Sequence, residues 1–137
     1  MRFLAIDLGA KRTGLAVGDD RTRLVTPLAV LEVPRGPALI QAIARAIDAQ
    51  GPDALVIGLP LNMDGTEGRP AKETRTFGEA LHAAVQLPVE YHDERLTSFA
   101  ADDAMARSGR THAQKRAVRD ALAAKEVLED FLRARGG

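Results

Sequence analysis

Residues 2–18 read RFLAIDLGAKRTGLAVG, which is two apolar runs of strand length joined by a short polar connection. The runs Arg2–Asp7 and Thr13–Gly18 predict two strands, and the tight connection between them predicts a β-hairpin. The first run ends at an acidic residue, Asp7. This stretch therefore predicts the start of an antiparallel sheet that carries a carboxylate at the end of its first strand.

Three further strands and four helices are predicted beyond this hairpin from the apolar periodicity and the turn residues. The predicted strands are Leu24–Val33, interrupted near Pro27, then Ala54–Gly58 and Pro88–His92. The predicted helices are Ala38–Gln50, a helix starting at Pro70 with Phe77, Leu81, Ala84 and Val85 on its apolar face, Thr97–Arg107, and Ala117–Arg133. Three antiparallel strands followed by two helix-then-strand units predict an α/β fold, a five-stranded mixed sheet flanked by helices.

The composition is typical of one cytosolic globular domain. A length of 137 residues suits a single domain over residues 1–137, and the apolar fraction of 45% is ordinary. No Cys is present, which excludes disulfides, thiolate metal sites and a Cys nucleophile. The early charge at Asp7 argues against a secretory leader, and no apolar run reaches the roughly 18 residues of a membrane span. We therefore expect a cytoplasmic location.

Charge is balanced overall but uneven along the chain. The formal net charge is zero, which does not favour a general nucleic-acid binder. Between Arg107 and Arg119, however, no acidic residue occurs, and the basic residues there are Arg107, Arg110, Lys115, Arg116 and Arg119. We predict a loop from Arg107 to Lys115 that its Ser-Gly pair allows to move. Such a patch could hold phosphates, and an ordinary solvated loop is the alternative.

Three carboxylates from separate elements are expected to meet at one edge of the sheet. Asp7 ends the first strand and Glu94 follows the fifth, and ligands of α/β sheets collect at the carboxyl ends of parallel strands. Asp120 joins them if the last helix packs across the sheet. Because adjacent carboxylates repel, such a group favours a divalent cation. Oxygen ligands suit Mg²⁺ or Mn²⁺, which can activate water against a phosphodiester.

Each of these residues also has an ordinary structural interpretation. Asp7 could bond backbone amides in a turn. Glu94 could form a surface ion pair with Arg95, and Asp120 could stabilise a helix start through the macrodipole. Considered one at a time, the residues leave both interpretations open.

Four segments resemble those of a known family. AIDLGAKRTGLAV at residues 5–17 resembles the D-x-G-x-x-x-x-G-x-A opening of the YqgF/RuvX family, the Holliday-junction-resolvase-like branch of the ribonuclease H superfamily. GLPLNMDGTEG at residues 58–68 is similar to the family's distinctive loop, and HDERLTS at 92–98 to its D-E-R-x-[ST] motif. DALAA at 120–124 matches the closing D-x-x-A-A. Sugar kinases and actin-like ATPases share the opening motif, whereas the two middle segments together are specific.

The resemblance implies a ribonuclease H-like fold and a metal site formed by Asp7, Glu94 and Asp120. Asp93 is an alternative ligand to Glu94, because only one of two adjacent side chains on an extended segment points inward. Related bacterial resolvases carry a further acidic residue where this chain has Gly58-Leu59-Pro60, so a looser site is expected. The candidates for substrate contact are Lys11, Asn62, Arg69, Arg95, Arg110, Lys115 and Arg116.

The function implied by the resemblance is a metal-dependent nuclease, first for the 5′ end of precursor 16S ribosomal RNA. Resolution of four-way DNA junctions is the alternative, and it requires two active sites, which a homodimer would supply. Two other classes of protein are alternatives. A kinase-like nucleotide-binding module normally needs two such domains, and a non-catalytic nucleic-acid adaptor would not need all three acidic positions.

Overall fold

The computed structural model describes residues 1–94 and the helix 112–136, including side chains of that helix from 122 to 135. Its strands are β1 (Arg2–Leu8), β2 (Thr13–Asp19), β3 (Val25–Leu31), β4 (Ala54–Leu59) and β5 (Val89–Asp93). Its helices are α1 (Pro37–Gln50), α2 (Arg69–Val85) and α3 (His112–Gly136). The predicted helix Thr97–Arg107 lies outside these residues. No helix in the described part of the chain is long and apolar enough to cross a membrane.

The five strands form one mixed sheet in the order β3-β2-β1-β4-β5, which confirms the predicted architecture. The first three strands are antiparallel neighbours, whereas β4 runs parallel to both β1 and β5. In the register of the central pair, Ile6 lies beside Ile57. The carboxyl ends of β1, β4 and β5 therefore share one edge of the sheet, which we call the carboxyl edge.

The sheet is covered on both faces, so its central strands are almost wholly apolar. The strand residues Phe3, Ala5 and Val56 pack with Val127 and Leu128 of α3 on one face. Residues of opposite strand parity pack on the other face, against α1 and α2, and this second core contains Leu4, Ile6, Leu55, Ile57, Leu39, Ile43, Phe77 and Leu81. The alternation of side chains along a strand thus assigns each residue of β1 and β4 to one helix layer.

Helix α3 runs antiparallel to β1. Near the helix C-terminus, the Phe131 ring meets the Phe3 ring edge-on with centroids 5.2 Å apart. Closer to the N-terminus, Val127 packs beside Gly58, at the end of β4. Moving from Phe131 toward the start of α3 therefore means moving along β1 toward the carboxyl edge.

Two details differ from the sequence-based predictions, and a third makes one of them more specific. Helix α3 begins at His112 and not at Ala117, because residues 112–135 contain no Gly or Pro and are rich in strong helix formers. Ala84 of α2 is exposed, although it was predicted on the apolar face. The irregularity predicted at Pro27 is a β-bulge: Leu15 pairs with Ala29 but Ala16 pairs with Pro27.

Candidate active site

Two of the three predicted carboxylates lie side by side at the carboxyl edge. Asp7 is the residue after Ile6 in β1, and Glu94 directly follows β5. The Glu94 backbone N–H donates to the Leu59 carbonyl oxygen at 3.3 Å, which extends the strand pairing by one residue. The Glu94 carboxyl group is hydrogen-bonded to the Asp7 carboxylate. Strands β1 and β5, which are not neighbours, therefore converge through their terminal side chains.

Protonation of Glu94 stabilises this pair. Burial is the largest cause that raises the pKa of Glu94 to about 9, and the neighbouring Asp7 charge, the hydrogen bond to Asp7 and the Asp93 charge contribute to the same rise. Two ionised carboxylates in contact would repel each other strongly in such an environment. At neutral pH, Glu94 therefore carries a proton that it donates to Asp7. A buried carboxyl group with a pKa shifted this far is a recognised mark of a functional site.

Gly58 of β4 provides the space that Glu94 occupies. A Cβ built at this position would overlap the Glu94 carboxylate and would also lie 3.3 Å from the Val127 side chain. Gly58 lies between β1 and β5 in the sheet, where it pairs with His92. The absence of a side chain here therefore allows Glu94 to reach across β4 to Asp7. The sequence pattern was interpreted as a looser site, whereas the structure has a carboxylate in that space.

The parity of β5 separates the two adjacent acidic residues. Val89 and Tyr91 pack toward α1 and α2, whereas His92 contacts α3. Asp93 has the parity of Val89 and Tyr91, and Glu94 has the parity of His92. Glu94 is thus the residue that shares the α3 face with Asp7.

Asp120 lies within α3, although its side chain is outside the described set. Its position is four residues before Ala124 and seven before Val127, so helical periodicity puts it on their face. From Phe131 to Asp120 the helix advances by roughly 16 Å. From Phe3 to Asp7, β1 advances by roughly 13 Å. Because the two elements run antiparallel, the Asp120 backbone reaches the level of the carboxyl edge.

A hydrogen bond between His92 and Asp130 ties β5 to α3. The His92 Nε2 atom lies 2.6 Å from the Asp130 Oδ2 atom, and the imidazole ring also packs edge-on against Phe131. This bond lowers the pKa of Asp130, and Arg133 adds to the effect. The described hydrogen-bond partner of the His92 ring is therefore a carboxylate of α3. The contact holds the helix of Asp120 against the strand that precedes Glu94.

The β1–β2 connection is a tight turn beside Asp7. A Cβ at Gly9 would overlap the Arg12 carbonyl oxygen, so this position requires a residue without a side chain. Arg35 holds the turn in place, because its guanidinium donates to the Gly9 carbonyl at 3.2 Å and to the Leu8 carbonyl at 3.3 Å. Lys11 is exposed at the tip of the turn, four residues after Asp7. Arg35 was not identified from the sequence, since nothing local indicates its partners.

The loop between β4 and α2 contains the other described substrate candidates. Asn62 is exposed, and its amide donates to the Thr66 hydroxyl at 3.0 Å within the loop. Arg69 opens α2 with 89% of its side chain exposed, and its guanidinium lies 2.9 Å from Glu73. Both residues follow β4 and are therefore near the carboxyl edge.

The remaining candidates fall on parts of the chain about which less is described. Arg95 and Arg110 lie outside the described residues. Lys115 and Arg116 were predicted in or beside a mobile loop, but their backbone belongs to α3, which corrects that expectation.

The donor set at the carboxyl edge suits a divalent cation. Among the described side chains, no three potential ligands gather in one place. Asp7 and Glu94 nevertheless share a proton where an ion with oxygen ligands would remove their repulsion, and the backbone of α3 brings position 120 to the same level along the sheet. The residues present therefore fit a hard divalent ion.

Comparison with protein families gives a match over almost the whole chain. Residues 1–134 match the family model described as "RuvX: Holliday junction resolvase". The sequence is 40% identical over 135 residues to a protein of Anaeromyxobacter sp. (strain Fw109-5), with 98% of each chain covered. It is 37% identical to a protein of Chloroflexus aurantiacus, covering 97% of this chain and 87% of that one. Both proteins bear the name "Putative pre-16S rRNA nuclease".

Solved structures of junction resolvases share the fold. Thermus thermophilus RuvC, in complex with a Holliday junction substrate, has a TM-score of 0.60 at 15% identity, covering 100% of this chain and 97% of that chain. The fowlpox virus resolvase, in complex with Holliday junction DNA, has a TM-score of 0.61 at 12% identity, covering 98% and 99%. The likeness confirms the ribonuclease H-like fold that the four segments implied.

Proposed function

This chain belongs to the RuvX family, and from that premise we propose that it is a metal-dependent nuclease that processes the 5′ end of precursor 16S ribosomal RNA in the cytoplasm. The observation that carries the proposal is the hydrogen-bonded pair formed by Asp7 and Glu94 at the carboxyl edge. A protein that used this fold only for binding would gain nothing from two desolvated carboxylates in contact, because their repulsion is costly. Relatives that are 35–42% identical bear a name that specifies precursor 16S rRNA as the substrate, and this supports RNA over DNA as the substrate here.

We propose that Asp7, Glu94 and Asp120 together hold Mg²⁺ or Mn²⁺. When bound, such an ion supplies an activated water and stabilises the leaving oxygen of a phosphodiester. Glu94 would release its proton to solvent on binding such an ion. Gly58 leaves the space that the Glu94 carboxylate occupies beside Asp7. The hydrogen bond between His92 and Asp130 fixes the position of α3 along the sheet, and therefore also that of the Asp120 backbone.

Substrate contact would come from the basic residues near this edge. Lys11 on the β1–β2 turn and Arg69 at the start of α2 are exposed near the carboxyl edge and can bind phosphates. Asn62 can offer its amide from the intervening loop. Arg95, Arg110, Lys115 and Arg116 are further candidates from the sequence. The alternative substrate is a four-way DNA junction, which the likeness to junction resolvases favours.

A cleavage assay on matched substrates tests the proposal. The purified chain would be offered precursor 16S RNA with its 5′ flank, a four-way DNA junction and a plain duplex, each with Mg²⁺, Mn²⁺ or EDTA. We expect cleavage in the RNA flank with either ion and none in EDTA. Preferred cleavage of the junction would replace the RNA assignment by the alternative. Equal cleavage in EDTA would reject the metal dependence.

A pair of isosteric substitutions tests the choice between the adjacent acidic residues. We expect Glu94→Gln to lower the cleavage rate by more than about 100-fold, since losing an outer-shell partner of a metal ligand already costs 10–100-fold. Asp93→Asn should lower it less than about tenfold, because Asp93 has the opposite strand parity and acts on the site only through its charge. Initial rates at saturating Mn²⁺ measure both effects. The reverse order would make Asp93 the ligand.

A further inference from the structure

A groove of about 850 Å³ lies between the first turn of α1 and the first three turns of α2, on the face of the sheet opposite α3. Its apolar lining, which we call the floor, includes Pro37, Ile40, Phe77 and Ala80. Its polar lining, which we call the rim, consists of Arg35, Arg69, Lys72, Glu73 and Thr76. We call this feature the α1/α2 groove. It contains none of the carboxylates of the candidate active site.

The groove opens directly beside the candidate active site. Arg35 lines it and at the same time donates to the carbonyl oxygens of Leu8 and Gly9, which follow Asp7 in the chain. Arg69, on the opposite rim, follows the loop that leaves β4 at the carboxyl edge. A polymer that passes over Asp7 can therefore enter the groove by crossing the end of β1.

The charges on the rim favour a polyanion. Three cationic side chains face one acidic side chain, Glu73, which is shared between Arg35 at 3.6 Å and Arg69 at 2.9 Å. Within the described residues, Lys72 forms no ion pair. The first turns of both helices contain no acidic residue. The excess positive charge thus surrounds an apolar floor.

An apolar floor with a cationic rim matches the two parts of a nucleotide. A base that has left its stack needs an apolar surface, and the adjoining phosphate needs Arg or Lys. A duplex keeps its bases stacked inside and would leave the floor unused. We propose that the α1/α2 groove binds an unpaired nucleotide of the substrate strand next to the cleavage point. The inference rests on the proposed nuclease function and names the form of nucleic acid that the site prefers.

Ala80→Glu tests the groove, because Ala80 is exposed on α2 and lines the floor. The new carboxylate would fill the floor and repel a phosphate. Binding of a short fluorescein-labelled single-stranded RNA would be measured by anisotropy in EDTA, so that cleavage does not contribute. We expect Kd to rise about tenfold or more, which is the range of losing one stacked base. Kd for a blunt RNA duplex should change by less than about twofold.

Ala49→Glu is the matched control. It adds the same charge at an exposed position in the last turn of α1, and it does not line the groove. We expect its Kd for the single strand to equal that of the unmodified chain. An unchanged Kd for Ala80→Glu would overturn the proposal, and an equal loss on strand and duplex would overturn the assignment to an unpaired nucleotide. If Ala80→Glu changed only the oligomeric state in size-exclusion chromatography, the groove would belong to a second copy.

The outcome is separable from that of the nuclease proposal. Anisotropy in EDTA reports binding without metal or chemistry, whereas cleavage of the same RNA by the unmodified chain reports the nuclease. If the unmodified chain cleaves RNA and Ala80→Glu binds the single strand normally, the nuclease proposal stands and the groove proposal fails. If the unmodified chain does not cleave, but Ala80→Glu selectively weakens single-strand binding, only the groove proposal stands.

Discussion

Asp7→Asn should abolish cleavage while making the metal-free protein more stable. Asn keeps the shape of the side chain but removes the charge that a divalent cation requires. A lost outer-shell partner costs 10–100-fold, so loss of a direct ligand should lower the rate by more than about 100-fold. Initial cleavage rates over a range of Mn²⁺ concentrations measure the effect. Asp48→Asn, an exposed acidic residue of α1, is the matched control and should cleave normally.

The stability effect has the opposite sign, because Asp7 and Glu94 repel each other when both are ionised. The pKa of Glu94 is raised from 4.5 to about 9 in the folded protein, so the metal-free fold loses stability as pH rises between those values. Removing the Asp7 charge weakens this loss, although burial of Glu94 remains. Thermal unfolding in EDTA at pH 5 and pH 8 should therefore show a gain for Asp7→Asn at pH 8 only.

Added Mn²⁺ provides the second half of this test. In the unmodified chain, the ion should raise the unfolding temperature, and more so at pH 8 than at pH 5, because its binding must displace the proton of Glu94. Asp7→Asn should lose most of this shift. Normal Mn²⁺-dependent cleavage and stabilisation in Asp7→Asn would remove Asp7 from the site. A lower unfolding temperature in EDTA at pH 8 would show that its contact with Glu94 is stabilising.

Gly58→Ala should damage both the fold and the chemistry. The added methyl group would overlap the Glu94 carboxylate and press on Val127, so one of these side chains must move. Overpacking of this kind costs about 1–3 kcal/mol. Displacing Glu94 from Asp7 should also lower the cleavage rate by on the order of 100-fold, because metal ligands tolerate little misplacement. Denaturant unfolding and initial rates measure the two effects.

A double-mutant cycle with Glu94→Asp isolates the cause. Asp at position 94 is one methylene shorter, so its carboxylate is withdrawn from the space above Gly58. We expect the stability losses of Gly58→Ala and Glu94→Asp to be less than additive when combined, with a coupling of about 0.5 kcal/mol or more. Strictly additive losses would mean that the methyl group acts elsewhere. Cleavage should stay low in the double variant because the shortened side chain at position 94 no longer reaches the place of the Glu94 carboxylate.

The sheet and the meeting of Asp7 with Glu94 could be predicted from the sequence for a topological reason. The uniformly apolar run of β4 indicates a central parallel strand, and parallel strands bring their carboxyl ends to one edge. The choice between Asp93 and Glu94 could not be made in the same way. Strand β5 has only five residues, all partly buried, and its sequence does not show which parity faces α3.

The missed features depend on contacts between elements far apart in the sequence. His92 bonds to Asp130, 38 residues away, and Arg35 bonds to the turn at Gly9, 26 residues away. No local pattern encodes such pairs. The role of Gly58 could not be predicted for a related reason, because a missing side chain does not reveal that a carboxylate from beyond another strand lies in its place.

The bulge at Pro27 limits how two copies of this protein can associate. Strand β3 is an outer strand of the sheet, and Pro27 lacks the N–H group that a neighbouring chain would need as a donor. The shifted register also breaks the regular spacing that a docking strand requires, which protects this border against edge-to-edge polymerisation. We therefore expect a two-fold assembly that makes paired nicks in a junction to form through a surface other than the exposed edge of β3.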